Sequence, residues 1–126
     1  MQALQIKATD ETPSITLDPE KNVFEFSGKS LPEDVTTFYG PVLKWLTEYG
    51  ETPKPNTTVD FKLVYFNTAS SKLILDILFL LEKIHESGTS IQIKWHYEEE
   101  DEDMKEAGDE YSDLVEVPFQ LECIPA

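Results

Sequence analysis

The sequence predicts a single α/β domain, residues 1–126, built on one mixed β-sheet covered by helices. Three observations predict it. From Thr57 onward the pattern alternates strand, helix, strand, helix, strand, the order of a mainly parallel sheet with crossover helices. Ahead of that stretch lie short segments with period-2 alternation, which suit antiparallel strands. The length, 126 residues, falls in the range of roughly 100 to 200 that one domain occupies.

Leu4–Ala8, Ser14–Asp18 and Val23–Ser27 read as strands separated by Thr12-Pro13 and by Pro19-Glu20-Lys21-Asn22, the first two open to being one bent strand. In Ser30-Leu31-Pro32-Glu33 the serine can cap a helix and Glu33 can reach back as a capping box, so a helix is expected from about Leu31. Val35, Phe38, Tyr39, Val42, Leu43, Leu46 and Tyr49 recur at helical spacing up to Gly50, with a kink expected at Gly40-Pro41. After a loop with Pro53 and Pro55, Thr57–Phe66 is rich in β-branched and aromatic residues and reads as a central strand. Ala69–Ser87 reads as a buried helix ended by Gly88, Ile91–Tyr97 as a strand, Asp101–Val115 as a helix with Met104, Ala107, Tyr111 and Leu114 on one stripe, and Pro118–Ile124 as a last strand.

Composition narrows the function. With 25 acidic against 10 basic residues the net charge is −15, which repels phosphate backbones and anionic lipid. Nucleic acid and direct membrane binding are therefore disfavoured, and a basic or mixed-charge protein surface is the easier partner. The apolar stretch Leu73–Ile84 is about 12 residues long and carries Asp76 and Glu82, well short of the roughly 20 that span a bilayer. A lone Cys123 and an N-terminus without a signal-peptide pattern point to a cytoplasmic protein.

Catalytic signals are thin. His85, His96 and Cys123 sit in no nucleophile–base or metal-ligand spacing, and no glycine-rich phosphate loop is present, so no cofactor and no metal is expected. Glu98–Glu116 holds eleven acids and one base, Lys105. Met104, Lys105 and Glu106 fall where a calcium loop would need alternating ligands and a glycine. A solvated acidic helix face accounts for the run. The class kept in reserve is a small-molecule or metal-dependent enzyme.

The most informative segment is Asn67, Thr68, Ala69, Ser70, Ser71 and Lys72, where the central strand ends and the buried helix begins. Ordinary capping accounts for three hydroxyls there. The same geometry also suits an anion: sites in open α/β sheets gather beyond the carboxyl ends of strands, and a helix start offers free N–H groups and a positive dipole end. A phosphoryl group on Thr68 would be tolerated by the fold, with Lys72 one turn on, and would alter whatever docks there.

Long and unusual segments then carry a resemblance over nearly the whole chain: Glu11-Thr12-Pro13, Phe26 to Glu33, Tyr65 to Lys72, Tyr97 to Met104, Glu106-Ala107-Gly108 and Tyr111-Ser112-Asp113. The chain resembles the SiaC family of bacterial regulatory phosphoproteins. That resemblance implies a fold similar to the STAS domains of anti-sigma-factor antagonists, and a non-catalytic switch protein. It further implies that a cognate (SiaB-like) Ser/Thr kinase phosphorylates Thr68 and a PP2C-type (SiaA-like) phosphatase reverses this. The unphosphorylated form would activate a (SiaD-like) diguanylate cyclase, raising cyclic di-GMP and promoting biofilm formation or aggregation. Two positions depart from the family pattern: Ala69 stands where a serine is frequent and His96 where an aromatic is common. A role for a hydroxyl at position 69 does not carry over.

Overall fold

A computed structural model describes residues 1–125. Six strands form one sheet in the order β1 (Leu4–Ile6), β2 (Ser14–Asp18), β3 (Val23–Ser30), β4 (Asn56–Phe66), β5 (Ser90–Glu98) and β6 (Phe119–Ile124). β1, β2 and β3 pair antiparallel, so the first two are separate strands and not one bent strand. From β3 to β6 all pairs are parallel, and β4 lies inside the sheet as expected. The crossovers are α1 (Val35–Tyr49), α2 (Thr68–Glu86) and α3 (Glu102–Leu114).

Each crossover advances the chain by one strand, and crossovers of one hand then stack all three helices on one face. The burial pattern records this. Thr57, Val59, Phe61 and Leu63 of β4 and Ile91, Ile93 and Trp95 of β5 are buried, while Asp60, Lys62, Gln92 and Lys94 on the other parity are not. The helices therefore cover one face of the sheet and leave the other open. The open face is largely polar, with side chains paired across strands: Lys62 with Glu25 at 3.4 Å, His96 with Asp60 at 2.8 Å, and Gln92 with Gln120 at 3.0 Å.

Beneath the helices the core is an aromatic seam. Phe26 stacks on Phe61 at 4.8 Å, Phe61 on Trp95 at 5.4 Å, and Trp95 meets Tyr111 edge-on at 5.3 Å. Trp95 Nε1–H donates to the Met104 carbonyl, and Gly108 lets α3 close on the same indole. A Cβ there would lie 2.5 Å from both Trp95 and Leu121. Gly50 works alike at the end of α1, because a Cβ would stand 2.9 Å from Ile84 of α2. Its backbone is right-handed (φ −63°), so close approach and not a left-handed cap selects glycine.

The start of α1 differs from the sequence expectation. The helix begins at Val35 under Asp34, whose carboxylate accepts from the Thr37 N–H at 3.1 Å and the Thr37 hydroxyl at 2.7 Å. Those bonds favour the anion and hold Asp34 below the usual carboxylate range. Ser30 is no cap: it ends β3 and its hydroxyl is fully buried. The helix runs unbroken through Pro41. The proline ring faces solvent, and the carbonyl it leaves without a helical donor belongs to the exposed Thr37.

Candidate functional site

β4 ends at Phe66 and α2 begins at Thr68, so Asn67 alone makes the junction. Its backbone is extended (φ −83°, ψ 172°), and its side-chain oxygen accepts from the Ser70 N–H at 2.8 Å. Its own N–H donates to the Ser30 carbonyl at 3.1 Å, which ties the junction to the end of β3. Asn67 is thus the cap that its residue type suits.

The hydroxyls of this turn divide into two kinds. Ser70 is fully buried and belongs to a chain of hydrogen bonds that joins three elements. The Tyr39 hydroxyl of α1 meets Ser30 Oγ, Ser30 Oγ donates to Ser70 Oγ at 2.8 Å, and Ser70 Oγ donates to the Ser30 carbonyl at 3.0 Å. With Tyr39 donating, each hydroxyl in the chain donates once and none is left unmatched. Burial pushes the Tyr39 hydroxyl above its ordinary pKa, partly offset by the bond to Ser30. Ser71 donates to the Thr68 carbonyl at 2.7 Å, and the Ser71 carbonyl accepts from Tyr111 of α3 at 2.8 Å. Burial, with a smaller contribution from the Glu110 carboxylate, holds the Tyr111 hydroxyl well above the usual phenol range.

Thr68 is the other kind. It is exposed, as are Ala69 and Lys72, and it occupies the first helical position, where backbone N–H groups have no helical acceptor. The first turn of α2 carries no acidic residue, so its positive dipole end is not neutralised by the chain itself. Lys72, four residues on, shares the helical face of Thr68. Of the six residues singled out in the sequence, Thr68, Ala69 and Lys72 are therefore accessible, Asn67 and Ser71 are half-buried, and Ser70 supports the turn from inside.

Sequence periodicity does not find the last feature of this edge. Gly28 pairs with Leu63 but Lys29 pairs with Tyr65, so β4 holds one extra residue, Val64, against β3. Strict alternation would send Tyr65 inward after Phe61 and Leu63. The bulge instead turns Phe66 inward, where it meets Trp95 and Tyr111, and leaves Val64 49% and Tyr65 54% exposed. Gly28, opposite the bulge, has φ +102°, a conformation that suits glycine. Between this strand end and the start of α3 lies a hollow of about 170 Å³ lined by Val64, Tyr65, Phe66, Asp101, Asp103 and Met104.

The residues weighed for catalysis lie apart. His85 is in the last turn of α2, where its Nδ1 accepts from the Ile91 N–H at 3.1 Å. His96 is on the open sheet face with Asp60, and Cys123 is exposed on β6. Glu98–Glu116 forms the end of β5 and the exposed side of α3, whose cap is Asp101 and whose first turn carries Glu102 and Asp103. Among the described residues no group of three or more His, Cys, Asp or Glu side chains is placed to hold a metal ion, and no helix is long and apolar enough to cross a membrane.

Comparison with known proteins places this geometry. The SiaC family of regulatory phosphoproteins matches residues 6–124. An uncharacterised protein of Pseudomonas aeruginosa strain UCBPP-PA14 is 31% identical over 123 residues, 98% of either chain. SiaC of Pseudomonas aeruginosa superposes with a TM-score of 0.90 at 30% identity, covering 98% of this chain and 100% of that one. A chain in the crystal structure of the diguanylate cyclase SiaD with its activator SiaC, from the same species, also gives 0.90 at 30% identity, over 96% of this chain and 99% of that one.

Proposed function

The chain belongs to the SiaC family of regulatory phosphoproteins, and from that premise we propose that it is an activator of a diguanylate cyclase, switched off by phosphorylation of Thr68. A cognate Ser/Thr kinase transfers the phosphoryl group to Thr68 Oγ, and a PP2C-type phosphatase hydrolyses it. The unphosphorylated form binds the cyclase and raises cyclic di-GMP, which promotes biofilm formation. The observation that carries this reading is the position of Thr68: exposed, first in α2, on a turn with unused N–H groups and no acid of its own.

A phosphothreonine adds about −1.5 to −2 charges at neutral pH. At the start of α2 it gains about 0.3 to 2 kcal/mol from the dipole, so the isolated protein stays folded. Inside an interface built around a small hydroxyl the same group costs several kcal/mol in desolvation, unless the partner supplies arginines. A net loss of about 4 kcal/mol weakens binding close to a thousandfold. The net charge of −15 fits a partner with a basic contact surface.

The test uses the purified SiaD-like diguanylate cyclase of the same organism. Affinity and cyclase activation are measured with native, stoichiometrically phosphorylated and Thr68→Ala protein. Native and Thr68→Ala protein are expected to bind and activate, and the phosphorylated form to do neither while melting no lower than native. Equal affinity of native and phosphorylated protein refutes the switch.

A further inference from the structure

The bulge in β4 exposes two large apolar side chains at the carboxyl edge of the sheet, three and four residues before Thr68. A regular strand would have directed Tyr65 into the core and left no such pair. The hollow they line has an apolar floor, with Phe66 and the buried Met104, and an acidic rim, Asp101 and Asp103 of α3. At about 170 Å³ it is smaller than the roughly 300 Å³ at which small-molecule sites begin. It has room for one side chain.

We propose that this hollow, with Val64 and Tyr65, is the docking surface for a basic segment of the cyclase partner, and that it seats one lysine or arginine side chain. The inference rests on the function proposed above and adds to it where the partner is gripped. The chemistry of the lining selects the occupant. An aliphatic stem packs on Phe66, Met104 and Val64, the cationic head reaches the carboxylates of Asp101 and Asp103, and the Tyr65 ring offers its π face to the same cation. Asp101 already accepts from the Met104 N–H at 3.0 Å as the cap of α3, which holds its carboxylate at the rim. Anchors of this kind, an aromatic side chain beside a charge pair that the partner covers, carry much of the affinity of an interface.

Placement beside Thr68 explains how one phosphate can disturb the whole contact. A partner seated at Tyr65 covers the junction at Asn67 and with it the first turn of α2. The anchoring contact then lies next to the position that phosphorylation makes bulky and charged. The acidic rim also makes the contact salt-dependent, because screening weakens pairs that are partly exposed.

The test measures binding of the full-length chain to the same purified diguanylate cyclase. Tyr65→Ala and Asp103→Lys are expected to weaken binding at least tenfold each while the chain stays folded, with Asp103→Lys melting somewhat lower because it reverses a charge in the first turn of α3. Asp103→Glu should hold native affinity, and Glu25→Ala, on the open face far along the sheet, should stay within threefold. Raising the salt should weaken the native complex more than the Asp103→Asn complex. If Tyr65→Ala and Asp103→Lys both bind like the native chain while phosphorylation still abolishes binding, the docking surface is overturned and the switch stands. If the native chain does not bind the cyclase at all, both readings fall together. If Tyr65→Ala fails to fold, Asp103→Lys, an exposed change, decides alone.

Discussion

Helices α2 and α3 both start at the carboxyl edge of the sheet under a side-chain cap, yet they treat the positive end of the helix dipole in opposite ways. α3 has Asp101 as its cap and Glu102 and Asp103 in its first turn, so its dipole is met by the chain's own carboxylates. α2 has the neutral Asn67 as its cap and no acid in its first turn, in a protein with 25 acidic residues. The two helices are also held differently. α3 is pressed onto the sheet by apolar contact, Gly108 against Trp95 and Leu121. α2 is propped from beneath by hydroxyls, Ser70 on Ser30, which in turn pairs with Tyr39. A helix start that is rigidly held and free of negative charge is suited to receive a phosphoryl group; one already filled with carboxylates would repel it.

The strongest way to break the α3 side is Gly108→Val. Side-chain atoms beyond a Cβ that already lies 2.5 Å from Trp95 force the helix off the sheet, and a loss of about 3 kcal/mol is expected from overpacking. Denaturant unfolding followed by the combined fluorescence of Trp45 and Trp95 measures it. A native-like midpoint would mean that α3 is not clamped at that residue. Next, Ser70→Ala breaks the α2 side. It strips a donor and an acceptor from a fully buried network, with a cost of about 2 kcal/mol. Amide exchange of residues 68–71 should speed up far more than that of the middle of α2.

Alkaline titration probes both clamps at once, since Tyr39 and Tyr111 each grip the first turn of α2 or its support. Both hydroxyls have their pKa raised in the fold, so the unfolded chain loses these protons first. Their stabilisation is complete below the ordinary phenol value of about 10 and is lost as pH rises past it, by up to about 1.4 kcal/mol per pH unit for each tyrosine. Tyr111→Phe should flatten that decline. A stability curve that does not fall above pH 10 would show that neither phenol is held neutral.

The caps come next in size. Asn67→Ala and Asp101→Ala should each cost about 1 kcal/mol, read as shifts in thermal midpoint. The smallest effects address charge directly. Asp103→Asn should cost about 0.5 kcal/mol and Thr68→Asp should gain about as much, both fading at high salt. Opposite signs at the two helix starts sharpen the comparison, and a destabilising Thr68→Asp at low salt would end it.

Much of this molecule was legible from local pattern. The strands β2 to β5, the helices α2 and α3, and the placement of Thr68 where a central strand meets a helix all follow from periodicity, caps and breakers, which act over a few residues. Other features were set by groups distant in the chain. Ser30 reads as a helix cap because a serine stands three residues before a glutamate. The fold instead spends its hydroxyl on Ser70, 40 residues away, and a buried hydroxyl satisfied there cannot also cap a helix. The three hydroxyls after Asn67 look alike in sequence, and only packing against β3 and α1 makes Ser70 a support and leaves Thr68 in solvent. Regular alternation after Phe61 and Leu63 would point Tyr65 inward. Phe66 takes the inward place because Trp95 and Tyr111 offer it aromatic partners, and the extra residue that this requires puts Val64 and Tyr65 outside. Backbone preference is decided by neighbours along the chain, but which side chain gains most from burial is decided by what the folded chain brings to meet it.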